Sequence, residues 1–145
     1  MIYQRITHTA DPDILSLAAA MRLPEIARFI HIDEQNFWNH VTSSENVFYY
    51  KVYDHGCLSA ALHAEISDGT LYPALMVLPQ YQRQGIAAAI LRDLQTGVLP
   101  LEFSQVEATV DAANAASIAL FEKMNFSCVS DTDSLRTYIY LPTHH

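Results

Sequence analysis

Residues 71–94 read LYPALMVLPQYQRQGIAAAILRDL. The first part is a short apolar run with aromatic and branched residues (Leu71, Tyr72, Leu75, Val77), the pattern of a strand buried on both faces. Pro79 closes that run because proline cannot donate to a sheet ladder. Gln82-Arg83-Gln84-Gly85-Ile86-Ala87 then reads as a tight turn into a segment whose apolar residues Ile86, Ala89, Ile90 and Leu94 recur at helical spacing. The predicted order is strand, turn, helix. A helix start presents backbone N–H groups without internal partners and the positive end of the helix dipole, so it seats a phosphate or pyrophosphate. Gly85 and Ala87 carry little bulk there, and a ligand can approach the backbone closely.

Upstream, Val47 to Tyr53 and Cys57 to Ile66 are rich in strand formers and flank the turn Asp54-His55-Gly56, while Ser67-Asp68-Gly69 leads into the Leu71 strand. Three antiparallel strands in a meander are expected. Met1 to Thr7 reads as a first strand, and Asp11-Pro12-Asp13 as a helix start followed by Ile14, Leu17, Ala18 and Met21 at helical spacing. Pro24 then begins or interrupts a second helix with Ile26, Ala27, Phe29 and Ile30, and Asp33 to His40 continues with Phe37 and Trp38, read as core or lid packing. Downstream, Gly97 and Pro100 punctuate a loop, Gln105 to Val110 alternates as a strand, and Asp111 to Asn114 caps a helix carrying Ile118, Leu120, Phe121 and Met124. That helix ends at Asn125, which tolerates left-handed geometry; Phe126 to Val129 and Leu135 to Leu141 are two final strands.

A chain of 145 residues, half of them apolar, is expected to form one domain over residues 1–145. No apolar run reaches the ~20 residues needed to span a bilayer, and Met1 to Arg5 lacks the apolar core of a signal peptide, so a cytoplasmic location is expected. Cys57 and Cys128 are too few for a disulfide framework and read as buried small hydrophobes. The net charge of −8, with eight scattered Lys and Arg, disfavours a nucleic-acid partner. An acidic surface draws a cationic amine, or serves plain solubility. The seven histidines lack metal-ligand spacing, so no metal is expected, and His144-His145 reads as a tail.

Gln82, Gly85 and Ala87, within Val77-Leu78-Pro79 and the helix, resemble the acyl-coenzyme A signature of the GNAT superfamily of N-acetyltransferases: Gln or Arg, Gly three later, Gly or Ala five later. Asn114, Ser117, Leu120, Glu122, Lys123 and Phe126 match a second family pattern, in the last strand-helix unit. Two residues depart from it: Phe121 stands where the family often has Tyr, and Asn125 where it often has Gly. The resemblance covers Val47 to Leu141 well and the first 46 residues only in outline. It implies a mixed α/β (α+β) fold, with a mostly antiparallel sheet of about seven strands flanked by about four helices, and a bulge that splays the central strand from its neighbour.

It also implies acetyl transfer from acetyl-coenzyme A to a primary amine, by direct attack in a ternary complex. The backbone of Leu75, Met76 and Val77 pairs with the pantetheine amides, and the amides of Gln84, Gly85, Ile86, Ala87 and Ala88 hold the pyrophosphate. Gln82 belongs to the same set, Arg83 or Lys123 meets phosphate oxygens, and Asn114, Ser117 and Phe121 line the cofactor. Near Leu75 or Met76 a backbone N–H meets the oxyanion. The family's Tyr is frequently proposed to protonate the departing thiolate, and Phe121 has no proton to give. A base or a water chain must also take the amine's proton. His63 and Glu65, two apart on one strand and so on one face, and Tyr72 on the next strand are the candidates; His31, Asp33 and Glu34 form a second polar cluster. The acceptor is a small-molecule or peptide amine; a homodimer is one open assembly state. The alternative is a non-catalytic acyl-coenzyme A-binding or regulatory module on the same fold. A nucleotide-binding strand-helix protein is remoter, since neither Gly-x-x-x-x-Gly-Lys nor Gly-x-Gly-x-x-Gly occurs.

Overall fold

The apolar alternation of the chain is resolved into a seven-stranded sheet in the computed structural model, which describes residues 1–27 and 34–142, with Glu34 and Gln35 by their backbone alone. Strands β1 (Ile2–Arg5), β2 (Val47–Asp54), β3 (Cys57–Ser67), β4 (Thr70–Val77), β5 (Gln105–Asp111), β6 (Ser127–Asp131) and β7 (Leu135–Tyr140) lie in the order β1-β2-β3-β4-β5-β7-β6. Every neighbouring pair is antiparallel except β4 and β5. The described helices are α1 (Asp13–Met21), α2 (Pro24–Ala27), α3 (Glu34–Ser43), α4 (Ile86–Gln95) and α5 (Ala115–Lys123), with a 3-10 turn at Pro79–Tyr81. The expected fold class is therefore present, with five α-helices where about four were expected.

Side-chain period decides the layers. Tyr50 and Val52 of β2, Leu62 and Ala64 of β3, and Val106 and Ala108 of β5 point to one face, where Ile90, Leu91 and Leu94 of α4 and Phe121 of α5 cover them. Val47, Tyr49, Ala61 and Met76 point to the other face, under Ile14, Leu17 and Met21 of α1 and Trp38 and Val41 of α3. Trp38 and Phe37 pack edge-on against each other and against Tyr49, which bears out their reading as packing aromatics. Phe29, Ile30 and the tail His144-His145 lie outside the described residues.

Three local expectations are corrected. The first strand covers only Ile2–Arg5, because it is an edge strand held on one side by β2. Cys57 and Cys128 are exposed rather than buried: Cys57 opens β3 directly after a turn, and Cys128 sits on the edge strand β6, so neither is roofed by a helix. The third concerns β4, which is buried at Thr70 and Leu71 but exposed at Tyr72 and Ala74, so it is not a strand enclosed along its length.

The start of α1 is anchored to β2 by charge. Pro12 takes the N-cap position, Asp13 N–H donates to Asp11 Oδ1 (2.9 Å), and Lys51 Nζ donates to Asp11 (3.0 Å) and Asp13 (2.9 Å), with Tyr53 OH also donating to Asp13. Burial pulls the Lys51 ammonium down, but its bonds to the two carboxylates outweigh that and hold its pKa above the ordinary value. The bond from Tyr53, then that from Lys51, holds Asp13 below the ordinary carboxylate range. Lys51 is only 8 % exposed, so removing it strands two carboxylates in a poorly solvated site. Lys51→Ala is expected to lower the unfolding free energy by about 3 kcal/mol, read from urea denaturation at neutral pH.

Candidate active site

The parallel pair at the centre of the sheet is nearly absent. β4 and β5 pair only at Thr70↔Gln105 and Leu71↔Val106, while β4 stays with β3 as far as Val77 and β5 stays with β7 as far as Asp111. Beyond Leu71 the two strands part and leave a slot roughly 20 Å long, six residues at ~3.3 Å each. The register of β3 on β4 is unbroken from Ser67↔Thr70 to Ala60↔Val77, so the slot opens without the bulge expected in β4.

Its cause is legible in the hydrogen-bond phase. Leu78 N–H donates to Ser59 O (2.9 Å), which makes Ala60 and Val77 a non-hydrogen-bonded pair. By alternation, Leu71, Pro73, Leu75 and Val77 turn their backbone groups from β3 toward β5, whereas Tyr72, Ala74 and Met76 bond to β3. After Leu71, the next residue in phase to donate to β5 is Pro73, which has no N–H. The β3 ladder loses nothing, and the β5 ladder stops. A proline inside a run otherwise read as a strand was the available signal, and its phase became known only once β3 was paired with it.

The same phase separates the backbone donors. Leu75 N–H faces the slot, as does Val77, whose carbonyl accepts from Gln82 Nε2 (3.1 Å). Met76 turns its amide to β3 and buries its side chain under α1, so Leu75 rather than Met76 can meet an oxyanion.

Both helices that follow these parallel strands begin at the open end of the slot, outside the carboxyl ends of β4 and β5. Their starts differ. In α5, Asn114 Oδ1 accepts from Ser117 N–H (3.2 Å) and Asp111 Oδ1 from Ala113 N–H (2.8 Å), so that start is already capped. In α4 the N-cap is Gly85 at φ 79°, with no side-chain cap and no acid in the first turn. Its first helical bond is Ala89 N–H to Gly85 O (3.0 Å), leaving the amides of Ile86, Ala87 and Ala88 as open donors. Space above Gly85 is open, and its positive φ is what requires glycine. Gln84 bonds back to Gln80 O (3.4 Å), and Arg83, at φ 64°, is exposed beside this start.

Two residues of the expected cofactor set fall elsewhere. Lys123 is exposed in the last turn of α5, about 12 Å of helix away from the start that faces the slot, because α5 runs back from the mouth. Phe121 is 6 % exposed, stacked on Tyr138 (6.1 Å) and edge-on to Phe126 (5.0 Å), so its ring belongs to the core under α5.

The candidate proton acceptors lie on the opposite face of the sheet, the α1–α3 face. Glu65 is directly across from Tyr72, the first residue beyond the split and 42 % exposed, and His63 is across from Ala74. Glu65 Oε1 lies 3.6 Å from His63 Nε2 and 3.2 Å from Nε2 of His40, on α3, a residue to which nothing in the sequence pattern points. His63 packs against Phe37 and Tyr49; its Nε2 is buried with no hydrogen bond. Burial holds the His63 imidazole below its ordinary pKa, with Glu65 acting against that and His40 reinforcing it. Burial likewise raises the Tyr49 phenol, which stays neutral. His31, Asp33 and the Glu34 side chain lie outside the described residues, and among the described residues no cluster suits a metal ion.

The chain thus carries a slot between parted parallel strands, with an uncapped helix start at its mouth. The model of the acetyltransferase (GNAT) family matches residues 15–126. The chain belongs to the GNAT acetyltransferase family. Solved GNAT structures share its fold at low identity. Spermidine N-acetyltransferase from Vibrio cholerae in complex with CoA and spermine superposes with a TM-score of 0.81 at 11 % identity, covering 97 % of this chain and 95 % of that one. The ribosomal-protein-S18-alanine N-acetyltransferase from Escherichia coli gives 0.70 at 20 % identity, over 99 % and 96 %. The N-acetyltransferase PseH from Campylobacter jejuni, in complex with acetyl coenzyme A, gives 0.77 at 11 %, over 98 % and 100 %. Among curated proteins no sequence match is found.

Two outcomes test this geometry. Pro73→Val restores the missing donor and lets the ladder to β5 continue, so hydrogen exchange at Thr109, whose N–H is on the β4 side of β5, is expected to slow and stability to rise by roughly 1 kcal/mol, the worth of one added bond. His63 is disfavoured as a cation only in the folded state. Its contribution is therefore intact above the ordinary histidine value of about 6.5 and is lost as pH falls through the lower folded value. His63→Leu is expected to flatten that part of a stability profile measured from pH 8 to 5.

Proposed function

We propose that the protein moves an acetyl group from acetyl-coenzyme A to a primary amine, by direct attack of the amine on the thioester while both are bound at the β4–β5 slot. The single observation that carries this is the combination of the slot with the uncapped start of α4 at its mouth. In this reading the pantetheine arm lies along β4 as an added strand would, its amides meeting the backbone groups of Leu75 and Val77. The pyrophosphate takes the amides of Ile86, Ala87 and Ala88, with the Arg83 guanidinium beside it and Gln82 and Gln84 bracing the loop. Asn114 and Ser117 form the facing side of the mouth.

The Leu75 N–H is aimed where charge develops on the thioester oxygen, which fixed donors stabilise without reorganising. Glu65 is the base. It is about half exposed and one strand, ~4.8 Å, from Tyr72 at the apex of the slot, so the ammonium proton reaches it through water. Tyr72, whose hydroxyl has no partner among the described residues, orders that water. His63 acts through Glu65, since its own Nε2 is closed to solvent. Coenzyme A leaves as a thiolate; an alkyl thiol of pKa ~8.5 is a weak enough base to depart near neutrality without the proton that Phe121 cannot give.

The net charge of −8 supports a cationic acceptor, a small-molecule or peptide amine, and two exposed unbridged cysteines support a reducing cytoplasm. Burial of Phe121 also favours a second reading, an acyl-coenzyme A-binding module without turnover. Release of free thiol from acetyl-coenzyme A, followed with a panel of monoamines, polyamines and peptides with free N-termini, separates the two. Amine-dependent release is expected, with Glu65→Gln lowering kcat/KM about 100-fold and leaving the affinity for coenzyme A unchanged. Pro73→Val, by narrowing the slot, is expected to weaken coenzyme A binding about tenfold in calorimetry. Tight binding with no turnover across the panel would make the protein a module.

A further inference from the structure

The proton acceptor of this reading is held from two sides. Oε1 of Glu65 lies between two imidazoles brought by different elements, Nε2 of His40 on α3 at 3.2 Å and Nε2 of His63 on its own strand at 3.6 Å. On the far side of His40, Ser44 Oγ lies 3.2 Å from Nδ1. If Nε2 carries the proton toward the carboxylate, Nδ1 is free to accept the Ser44 hydroxyl, so the neutral tautomer satisfies both contacts at once. His63 is fixed among Phe37 and Tyr49, whereas the His40 side chain is 53 % exposed.

We propose that His40 is a positioning residue for the acetyl transfer: from the last turn of α3 it fixes the Glu65 carboxylate so that Oε2 is left to the proton of the amine. This rests on the acetyltransferase reading above. A carboxylate on a strand one removed from the slot has rotamers that point away from it, and a bond from a second element removes most of them. The contact also makes the base sensitive to pH. With His40 neutral, Glu65 accepts one ordinary hydrogen bond and remains a competent base. With His40 protonated the bond becomes an ion pair, which favours the carboxylate anion and weakens it as a proton acceptor. The groups facing this carboxylate are His40 from α3, His63 from β3 and Tyr72 from β4, with Tyr49 of β2 behind His63 and neutral. Two protons must be accounted for: the ammonium gives one through water to Glu65, the neutral amine bonds to the acetyl carbon, and the thioester C–S bond breaks to release the coenzyme A thiolate. The second proton, on the acylated nitrogen, passes through water to that thiolate or to solvent, and Glu65 later returns the first proton to solvent.

The test is the pH dependence of kcat for amine acetylation by the full chain and its His40→Ala and His40→Gln variants, paired with an NMR titration of the His63 ring in the same proteins. His40→Ala is expected to lower kcat about tenfold, a small part of the ~10²–10⁴-fold that acid–base groups supply, with KM for acetyl-coenzyme A unchanged. His40→Gln can donate to the same oxygen but cannot titrate, so it is expected to recover most of that loss and to remove one ionisation from the profile between pH 5 and 8. Because the charge of His40 opposes that of His63 while Glu65 favours it, the His63 midpoint should rise in His40→Gln and fall in Glu65→Gln, whether or not an amine turns over. An active wild type whose pH profile and His63 midpoint are the same in His40→Gln overturns the positioning role. A wild type that turns over no amine while the midpoint still shifts overturns the acetyltransferase reading and leaves the cluster purely structural.

Discussion

One missing hydrogen-bond donor organises this molecule. Pro73 occupies the position on β4 from which the parallel ladder to β5 would continue, and the sheet is joined across its centre by two residue pairs alone. A sheet so nearly divided would come apart if strand pairing were its main support. The layer of α4 and α5 prevents this, because Ile90, Leu91 and Leu94 share one core with Leu62 of β3 on one side of the split and with Val106 of β5 and Tyr138 of β7 on the other. Burial of apolar area is non-directional, so it bridges a gap that hydrogen bonds cannot cross. Gln95 to Met124 O (2.7 Å) ties α4 to the end of α5, and Tyr3 OH to Asp93 (2.6 Å) ties it to the outer strand β1.

The slot is useful because of what stands at its mouth. Two helices begin there, and only α4 leaves its first amides without a side-chain cap. The difference comes from local residues: Asp111 and Asn114 satisfy the start of α5, whereas the residues before α4, Arg83-Gln84-Gly85, bring no carboxylate or hydroxyl to cap it. A negative ligand therefore meets competition at one start and none at the other. The cluster of Glu65, His63 and His40 lies on the opposite face of the sheet, on β3 beneath α3, so in the proposed reaction an acyl donor along β4 and an amine approach from different sides of the same split.

Much of this is legible in residue order. The meander of β2, β3 and β4, the turn into α4, the left-handed Asn125 at φ 68° and the shared face of His63 and Glu65 all follow from period, turn residues and capping chemistry, which act over a few neighbours. The errors share a cause. Residue type predicts burial for Cys57 and Cys128, and an apolar run predicts an enclosed β4, although exposure depends on what packs overhead. Lys123 follows a matching motif and lies in the last turn of α5, away from the helix start at the slot, since direction along a helix is set by where the chain turns back.

The sequence by itself determined the order of the elements, the family, and the uncapped helix start after Gly85, because each is written in contacts between residues close along the chain. Only the tertiary structure decided that Pro73 faces β5 rather than β3, that Leu75 and not Met76 offers its N–H to the slot, and that His40 reaches Glu65 across 25 positions. Hydrogen-bond phase and contacts between elements are properties of pairing. A single strand read alone carries two equivalent phases, and the choice between them is made when its neighbour packs beside it.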